Sequence, residues 1–234
     1  MFNKEDIKLS QIGNMILSDK IKGQYKHIDA IYDAATHSSD LGVKINNFLA
    51  RSDFSAHVVY RTNFFADELS QLKGQKVASI ACGSGLEIEK AYQLNPNLNC
   101  QIDCYDVDEM ALNKLRSRGL KNINPIKLNV VNKPIKQKYD LIYCFGLFDY
   151  LHLKLSKRLS NKLFNCLNKG GSLILGNVDI NASHREFMTN LLEWKLDYKS
   201  QEDLLSLGDG LDCSKFIFLD PMKIMNYLKL KKND

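Results

Sequence analysis

Short apolar runs alternate with helical patterns from residue 76 onward, and no other feature of the sequence limits the possible fold as strongly. Strands that follow one another through helices are typical of a parallel sheet covered by helices. We therefore expect an α/β fold. The predicted strands are Lys76–Ala81, Cys100–Tyr105, Pro125–Asn129, Leu141–Phe145 and Ser172–Gly176, and the predicted helices are Leu86–Leu94, Glu109–Arg118 and Lys154–Leu167.

The end of the chain departs from this alternation. Helical patterns around Arg185–Glu193 and Gln201–Leu207 are followed by two strand patterns, Lys215–Leu219 and Asn226–Leu230. The break at residues 220–223 is too short for the crossover that parallel strands need. The last two strands are therefore predicted to pair as an antiparallel hairpin.

The first 74 residues have apolar side chains at helical spacing and no strand pattern. Plausible helix caps are Asn3 with Asp6, and Ser52 or Asp53, while Gly74 is a plausible helix stop. The helical positions are Ile12 and Ile16, then Ile28, Ile31 and Ala35, then Phe54, Val58, Phe65, Leu69 and Leu72.

The change of pattern predicts two domains. Residues 1–74 would form a helical cap or substrate segment, and residues 75–234 would form the cofactor-binding domain. At 234 residues the chain is also short enough to form one large globular domain with an appended segment.

A glycine loop follows the first strand, with the residues Ala81, Cys82, Gly83, Ser84 and Gly85 directly before the predicted helix. Glycines let the backbone approach a ligand, and the free N–H groups at a helix start attract an anionic group. The loop alone is a weak signal, because Gly-x-Gly also opens nucleotide-binding helices and occurs in tight turns. It predicts a nucleotide-like ligand.

An acidic residue ends the second strand at the distance expected of a ribose-binding carboxylate. Asp106 lies about twenty residues beyond the loop, and Val107 follows it. Asp106 would alternatively cap the helix that begins at Glu109. Ile88 stands where a dinucleotide-binding loop has its third glycine, which disfavours NAD.

Two further strand ends should border the same ligand, since ligands of open α/β sheets bind beyond the carboxyl ends of the strands. Asn129, followed by Val130, is placed to bind an adenine amino group, although asparagine is also a common turn residue. The fourth strand leads into Phe145, Gly146 and Leu147, which we expect beside the reactive part of the ligand.

Several segments resemble the bacterial methyltransferases related to hydroxy-fatty-acid methyl ester synthases. The resemblance covers about residues 75–207, and GLFDYL and the Trp-Leu-Tyr segment are more specific than the glycine loop. The matching segments are Ser79-Ile-Ala-Cys-Gly-Ser-Gly with Glu87, GLFDYL at 146–151, LILGN at 173–177, and Arg185, Phe187-Met188 and Trp194-x-Leu-x-Tyr198 before Glu202-Asp-Leu.

This resemblance implies a Rossmann-like class I methyltransferase sheet, with parallel strands, a C-terminal antiparallel hairpin and an N-terminal helical segment. It also implies S-adenosyl-L-methionine (SAM) as methyl donor, S-adenosylhomocysteine (SAH) as product, and a small-molecule acceptor such as a carboxylate that becomes a methyl ester. Two positions depart from the common pattern: Ala81 replaces its first glycine and Ser79 its acidic residue. The first 74 residues have no match.

Candidate reactive side chains follow the fourth and fifth strands. Tyr150 and His152 are the predicted catalytic residues, while Tyr25, Asp149 and Asn177 are predicted to contact the acceptor. Each has a structural alternative, such as packing for Tyr150. No metal is predicted, because the histidines of the helical segment, His27, His37 and His57, lack the spacing of a metal site.

Composition narrows the partners. The formal net charge is +5, but basic and acidic residues are interleaved, so nucleic acid is an unlikely partner. The chain has no long apolar run and no signal-peptide pattern, and its six cysteines lack C-x-x-C spacing. These features predict a cytoplasmic protein with reduced cysteines and no membrane span, and leave the oligomeric state open.

Three hypotheses follow. The leading one is a methyltransferase that acts on a small molecule, directed to a carboxylate or hydroxyl oxygen, by in-line displacement. The exit of the fourth strand has neither the Asn/Asp-Pro-Pro-aromatic motif of amino-methylating nucleic-acid enzymes nor a Pro-Cys nucleophile, since Cys144 precedes Phe145 within the strand. The alternatives are an RNA or protein methyltransferase and a non-catalytic SAM-binding subunit.

Overall fold

The computed structural model describes residues 3–33 and 40–234, so Ala35 and His37 lie outside the described residues. The described residues form a seven-stranded sheet in the order β3-β2-β1-β4-β5-β7-β6. The strands are β1 (Lys76–Ile80), β2 (Gln101–Asp106), β3 (Ile123–Lys127), β4 (Tyr139–Phe145), β5 (Leu167–Val178), β6 (Cys213–Leu219) and β7 (Met225–Lys232).

Six strands run in the same direction, and one, β7, runs against them. The strands β1 to β5 pair in parallel, whereas β7 lies antiparallel between β5 and β6. The predicted parallel sheet with a C-terminal antiparallel hairpin is thereby confirmed. The order of the strands also brings the carboxyl ends of β1 and β4 together in the middle of the sheet, where a switch in strand order opens a crevice.

Helices precede and connect the strands. A capping box between Asn3 and Asp6 begins the first helix, and the Ser52 side chain caps the fifth, which ends at Ser70 rather than at Gly74. The helices are α1 (Lys4–Lys8), α2 (Gln11–Ser18), α3 (Tyr25–Asp33), α4 (Asp40–Ala50), α5 (Asp53–Ser70), α6 (Leu86–Leu94), α7 (Glu109–Ser117), α8 (Leu153–Phe164) and α9 (Gln201–Leu205).

The largest error of boundary concerns β5, which begins at Leu167, a residue predicted to end a helix. Leu167 is a register partner of Tyr139 at the start of β4. Pairing with β4 satisfies the backbone N–H and C=O groups of these residues. The local sequence pattern does not predict this pairing. The predicted helix around Arg185–Glu193 is also irregular, because Phe187–Leu191 forms a π-helical turn.

The N-terminal helices share an apolar cluster with a segment far along the chain. Buried Ile12 and Ile16 of α2 and Ile31 of α3 belong to one cluster with Met188 and Trp194. This cluster covers the carboxyl-end side of the sheet, because residues of α3, α5 and the 193–196 segment meet the ends of β1 and β4 there. The domain boundary at residue 74 remains a prediction. Among the described residues, no helix has the length and apolar character needed to cross a membrane.

Candidate cofactor and acceptor site

A cavity of about 690 Å³ lies at the carboxyl ends of β1, β2 and β4. The glycine loop forms its floor, and α3, α5 and residues 193–196 cover it. Most of the residues that the sequence predicts as site residues meet there. They are Tyr25, Ala81, Cys82, Gly83, Ser84, Gly85, Asp106, Val107, Phe145, Gly146, Leu147, Asp149 and Tyr150.

The glycine loop has the backbone shape that an anion-binding turn requires. Gly83 and Gly85 have φ values of 55° and 67°, in the left-handed region. A Cβ atom on Gly85 would lie 2.7 Å from Leu115 Cδ1, so a side chain there would collide with α7. Gly85 is the N-cap of α6 and offers no side chain to the first N–H groups of that helix. These groups can bind the carboxylate of SAM.

Ala81 occupies the same left-handed region, with φ of 54°, but it is not a glycine. This conformation costs a residue with a Cβ atom about 1–2 kcal/mol, and the greater chain entropy of glycine offsets about 0.5–1 kcal/mol. Ala81→Gly is therefore expected to raise the free energy of unfolding by up to about 1 kcal/mol in urea denaturation. As a control, Ala91→Gly inside α6 should lower the free energy of unfolding by at least about 1 kcal/mol. A loss of stability in the first variant would show that Ala81 is not strained.

Asp106 ties the end of β2 to the glycine loop. Its carboxylate accepts hydrogen bonds from Gly83 N at 2.8 Å and from Asp108 N at 2.9 Å. The cap of α7 is Asp108, whose carboxylate accepts from Met110 N and Ala111 N, so Asp106 is not needed as a cap. A carboxylate fixed in this way at the rim can accept hydrogen bonds from both hydroxyls of a ribose.

The exit of β4 is aromatic and contains a buried acid. The rings of Phe65 from α5 and Phe145 lie 3.8 Å apart between centroids. Asp149 is 4% exposed, and its Oδ1 accepts from Val178 N at 2.7 Å. Burial raises the pKa of this carboxyl. The Tyr150 hydroxyl accepts a hydrogen bond from Trp194 Nε1 at 2.8 Å, and burial raises its pKa also.

Four predicted site residues lie outside the cavity lining. The exposed Asn129 accepts from the N–H groups of the turn that follows it, and Val130 is buried in the core of the sheet. His152 is exposed and caps α8, where its Nδ1 accepts from Leu155 N at 3.3 Å. The Asn177 side chain is fully buried and accepts from the Lys199 amine. Local structural roles account for all four.

The helical segment reaches the glycine loop through one buried side chain. Asp29 of α3 is 5% exposed and accepts a hydrogen bond from the Ser84 hydroxyl at 2.7 Å. The same carboxylate forms an ion pair with Lys114 of α7. These contacts hold α3 over the loop, with Tyr25 above Gly83. The cover of the cavity is therefore attached to its floor.

Sequence reasoning assigned no binding role to several charged residues that line the cavity, among them Arg61 and Glu87. Arg61 comes from α5, and nothing in the local pattern of α5 distinguishes it from a surface arginine. Glu87 lies in the first turn of α6, directly after the glycine loop, so its position was a usable signal. Its burial against β4 was not visible in the sequence.

The strand order, the glycine loop after β1 and the carboxylate at the end of β2 define a class I methyltransferase fold. Residues 78–173 match the family model described as "Methyltransferase domain". This match over residues 78–173 supports SAM-dependent methyltransferase activity. The resemblance to the hydroxy-fatty-acid branch remains a prediction.

Solved structures of similar fold cover nearly the whole chain. A possible exported protein from Bordetella parapertussis is 17% identical with a TM-score of 0.79, over 98% of this chain and 86% of that one. Magnesium protoporphyrin IX methyltransferase from Synechocystis PCC 6803, with bound SAH, is 12% identical with a TM-score of 0.63, over 88% and 92%. N-methyltransferase NodS from Bradyrhizobium japonicum WM9, in complex with SAH, is 15% identical with a TM-score of 0.57, over 90% and 98%. These likenesses show the fold. No curated protein matches the sequence significantly.

Proposed function

We propose that this protein transfers the methyl group of SAM to a carboxylate oxygen of a small acceptor. The observation that carries the proposal is a cation, Arg61, which lines the covered cavity and has no ionic partner among the described residues. SAM supplies an electrophilic methyl group that an acceptor oxygen displaces from sulfur, leaving SAH.

The guanidinium group of Arg61 lies above the end of β4. Its Nη1 is 3.9 Å from the position that a Cβ atom on Gly146 would take. Within residues 3–33 and 40–234, Arg61 forms no ion pair, although its charge offsets part of the rise that burial causes in the pKa of Asp149. A planar guanidinium with free donors matches the two oxygens of a carboxylate.

The cover of the cavity supports a small acceptor over RNA or a protein. Residues of α3 and α5 and the segment 193–196 enclose the space beyond the glycine loop, and Asp29 fastens α3 to that loop. Much of the wall is apolar, and Val58, Phe65 and Met225 are among the lining residues. One structural neighbour, magnesium protoporphyrin IX methyltransferase, is likewise named for a small molecule.

A carboxylate acceptor would not depend on any of the possible bases that line the cavity, such as Asp149 and His57. A carboxylate is already ionised at neutral pH and needs no proton removed before it attacks, whereas a hydroxyl does. The Tyr150 phenol has a pKa raised by burial, so it is protonated at neutral pH and suited only to hydrogen bonding. His152, the other predicted catalytic residue, is exposed at the N-terminal end of α8.

Labelling with methyl-tritiated SAM tests the proposal directly. The protein is incubated with a panel of aliphatic and aromatic carboxylic acids, matched alcohols and a metabolite extract, and products are identified by mass spectrometry and by release of methanol in alkali. We expect base-labile methyl esters. Label found only in alkali-stable ethers, in RNA or in protein would contradict the proposal. SAM binding without turnover across the whole panel would support the non-catalytic alternative.

Arg61→Gln should separate the acceptor from the donor. Loss of a charge-assisted hydrogen bond costs about 1.5–3 kcal/mol, so we expect KM for the acid to rise at least about tenfold. The affinity for SAH, measured by calorimetry, should stay within about twofold, since the start of α6, and not Arg61, is the expected site for the carboxylate of SAH. Arg51→Gln, an exposed control just before α5, should change neither quantity. A variant Arg61→Gln with unchanged KM would exclude this residue as the anchor.

A further inference from the structure

Glu87 is a half-buried carboxylate in the wall of the cavity, and it forms no ion pair with the described residues. It lies in the first turn of α6, and its Oε1 accepts a hydrogen bond from the Tyr143 hydroxyl at 2.9 Å. Burial raises the pKa of the carboxyl, and the bond from Tyr143 and the charges of Arg61 and Arg118 offset part of that rise. Charged groups that are removed from water are normally paired.

The nearby arginines do not pair with Glu87 among the described residues. Arg118 forms its ion pair with Glu89 and donates to the Ser84 carbonyl oxygen at 3.0 Å. Arg61 forms no ion pair, although its charge acts on Glu87. The carboxylate therefore faces the cavity with one hydroxyl donor and a free capacity for a cation.

Glu87 contacts Tyr143, which is the neighbour in the sheet of the position where this chain lacks the acidic residue of the common methyltransferase pattern. Ser79 of β1 is the register partner of Tyr143 in β4, and it stands where the common methyltransferase pattern has an acidic residue. The Ser79 hydroxyl is buried and has no hydrogen-bond partner among the described residues. Ser79 is thus adjacent to Tyr143 in the sheet, Glu87 binds the Tyr143 hydroxyl, and both Ser79 and Glu87 line the cavity.

We propose that Glu87 binds the ammonium group of the methionine part of SAM, so that α6 supplies the carboxylate that β1 lacks. The amino-acid end of the donor is a zwitterion, and the loop offers a complementary pair of sites. The uncapped N–H groups at the start of α6 suit its carboxylate, and Glu87 suits its ammonium group. The proposal concerns the donor and holds whichever acceptor is methylated.

Two ligands, one with and one without the amino-acid end, distinguish a contact between Glu87 and the ammonium group from a general effect of the substitution on the fold. SAH carries the zwitterion, whereas 5′-methylthioadenosine has the same adenosine and a neutral sulfur without it. Calorimetry on Glu87→Gln should show SAH affinity reduced about tenfold, in line with the loss of a charge-assisted contact, and unchanged affinity for methylthioadenosine. Glu89→Gln, on the same turn of α6, is the matched control and should keep the wild-type ratio of the two affinities.

A second variant tests whether the carboxylate of Glu87 replaces the one that β1 lacks. Adding Ser79→Asp to Glu87→Gln returns a carboxylate to the strand position, and we expect it to recover part of the affinity for SAH. Thermal unfolding without ligand confirms that each variant is folded. Equal losses for both ligands, or no loss for either, would overturn the proposal. Failure of wild-type protein to bind SAH or methylthioadenosine would instead refute the cofactor site as a whole.

Discussion

Asp106→Ala is expected to weaken the binding of SAM and SAH about a hundredfold, the equivalent of about 2.7 kcal/mol. The carboxylate has two tasks: it holds Gly83 N and Asp108 N in hydrogen bonds, and its remaining acceptor capacity is available to the ribose. Its removal takes away charge-assisted bonds to the ligand and releases the glycine loop at the same time. Isothermal titration calorimetry measures the loss.

The neighbouring acid provides the control. Asp108→Ala removes the cap of α7, where the carboxylate accepts from Met110 N and Ala111 N. It should lower the free energy of unfolding by about 1 kcal/mol and change the affinity for SAH far less than Asp106→Ala does. If both variants bind SAH as the wild type does, the ribose role of Asp106 is wrong.

Lys199→Met is expected to lower the free energy of unfolding by about 3 kcal/mol, because it removes the donor from a buried polar network. Lys199 is 1% exposed, and its amine donates to Phe148 O at 3.0 Å, to Asn177 Oδ1 at 3.1 Å and to Asp197 Oδ1 at 2.7 Å. Methionine fills a similar volume but donates a hydrogen bond to none of these acceptors. Urea denaturation followed by circular dichroism measures the change.

The same substitution should reduce methyl transfer, since the Phe148 carbonyl belongs to the turn that carries Asp149 and Tyr150. Lys154→Met, at an exposed position of α8, should leave stability within about 0.5 kcal/mol of the wild type. A loss below about 1 kcal/mol for Lys199→Met would mean that water or backbone adjustment satisfies the network.

Much of the parallel sheet could be predicted, since its strands are buried and bounded by turn residues. The helix α6 has the predicted bounds, and the strands β1 and β2 begin or end within one residue of prediction. Where pairing with a distant strand decided the structure, prediction failed, as at the start of β5. The residues of the glycine loop and Asp106 were predictable because their spacing along the chain is set by the geometry of one strand, helix and strand unit.

Residues whose function depends on distant elements were not predictable. The sequence placed Asn177 and His152 near the ligand because both follow strands, but their side chains turn to a buried lysine and to a helix start instead. The direction of a side chain after a strand depends on what packs around it. Arg61 was missed for the same reason, because it reaches the cavity from α5, a helix that precedes the first strand.

The sequence by itself determined the α/β sheet with its antiparallel hairpin, the glycine loop and the acid that follows it, because each depends on residue types at short spacing. Only the tertiary structure decided what covers that site and which charges enter it. Helices α3 and α5 come to the cavity through apolar contacts with residues 188–194, more than a hundred positions away. Burial against those elements brings Arg61 to the end of β4 and leaves the carboxylate of Glu87 facing the cavity.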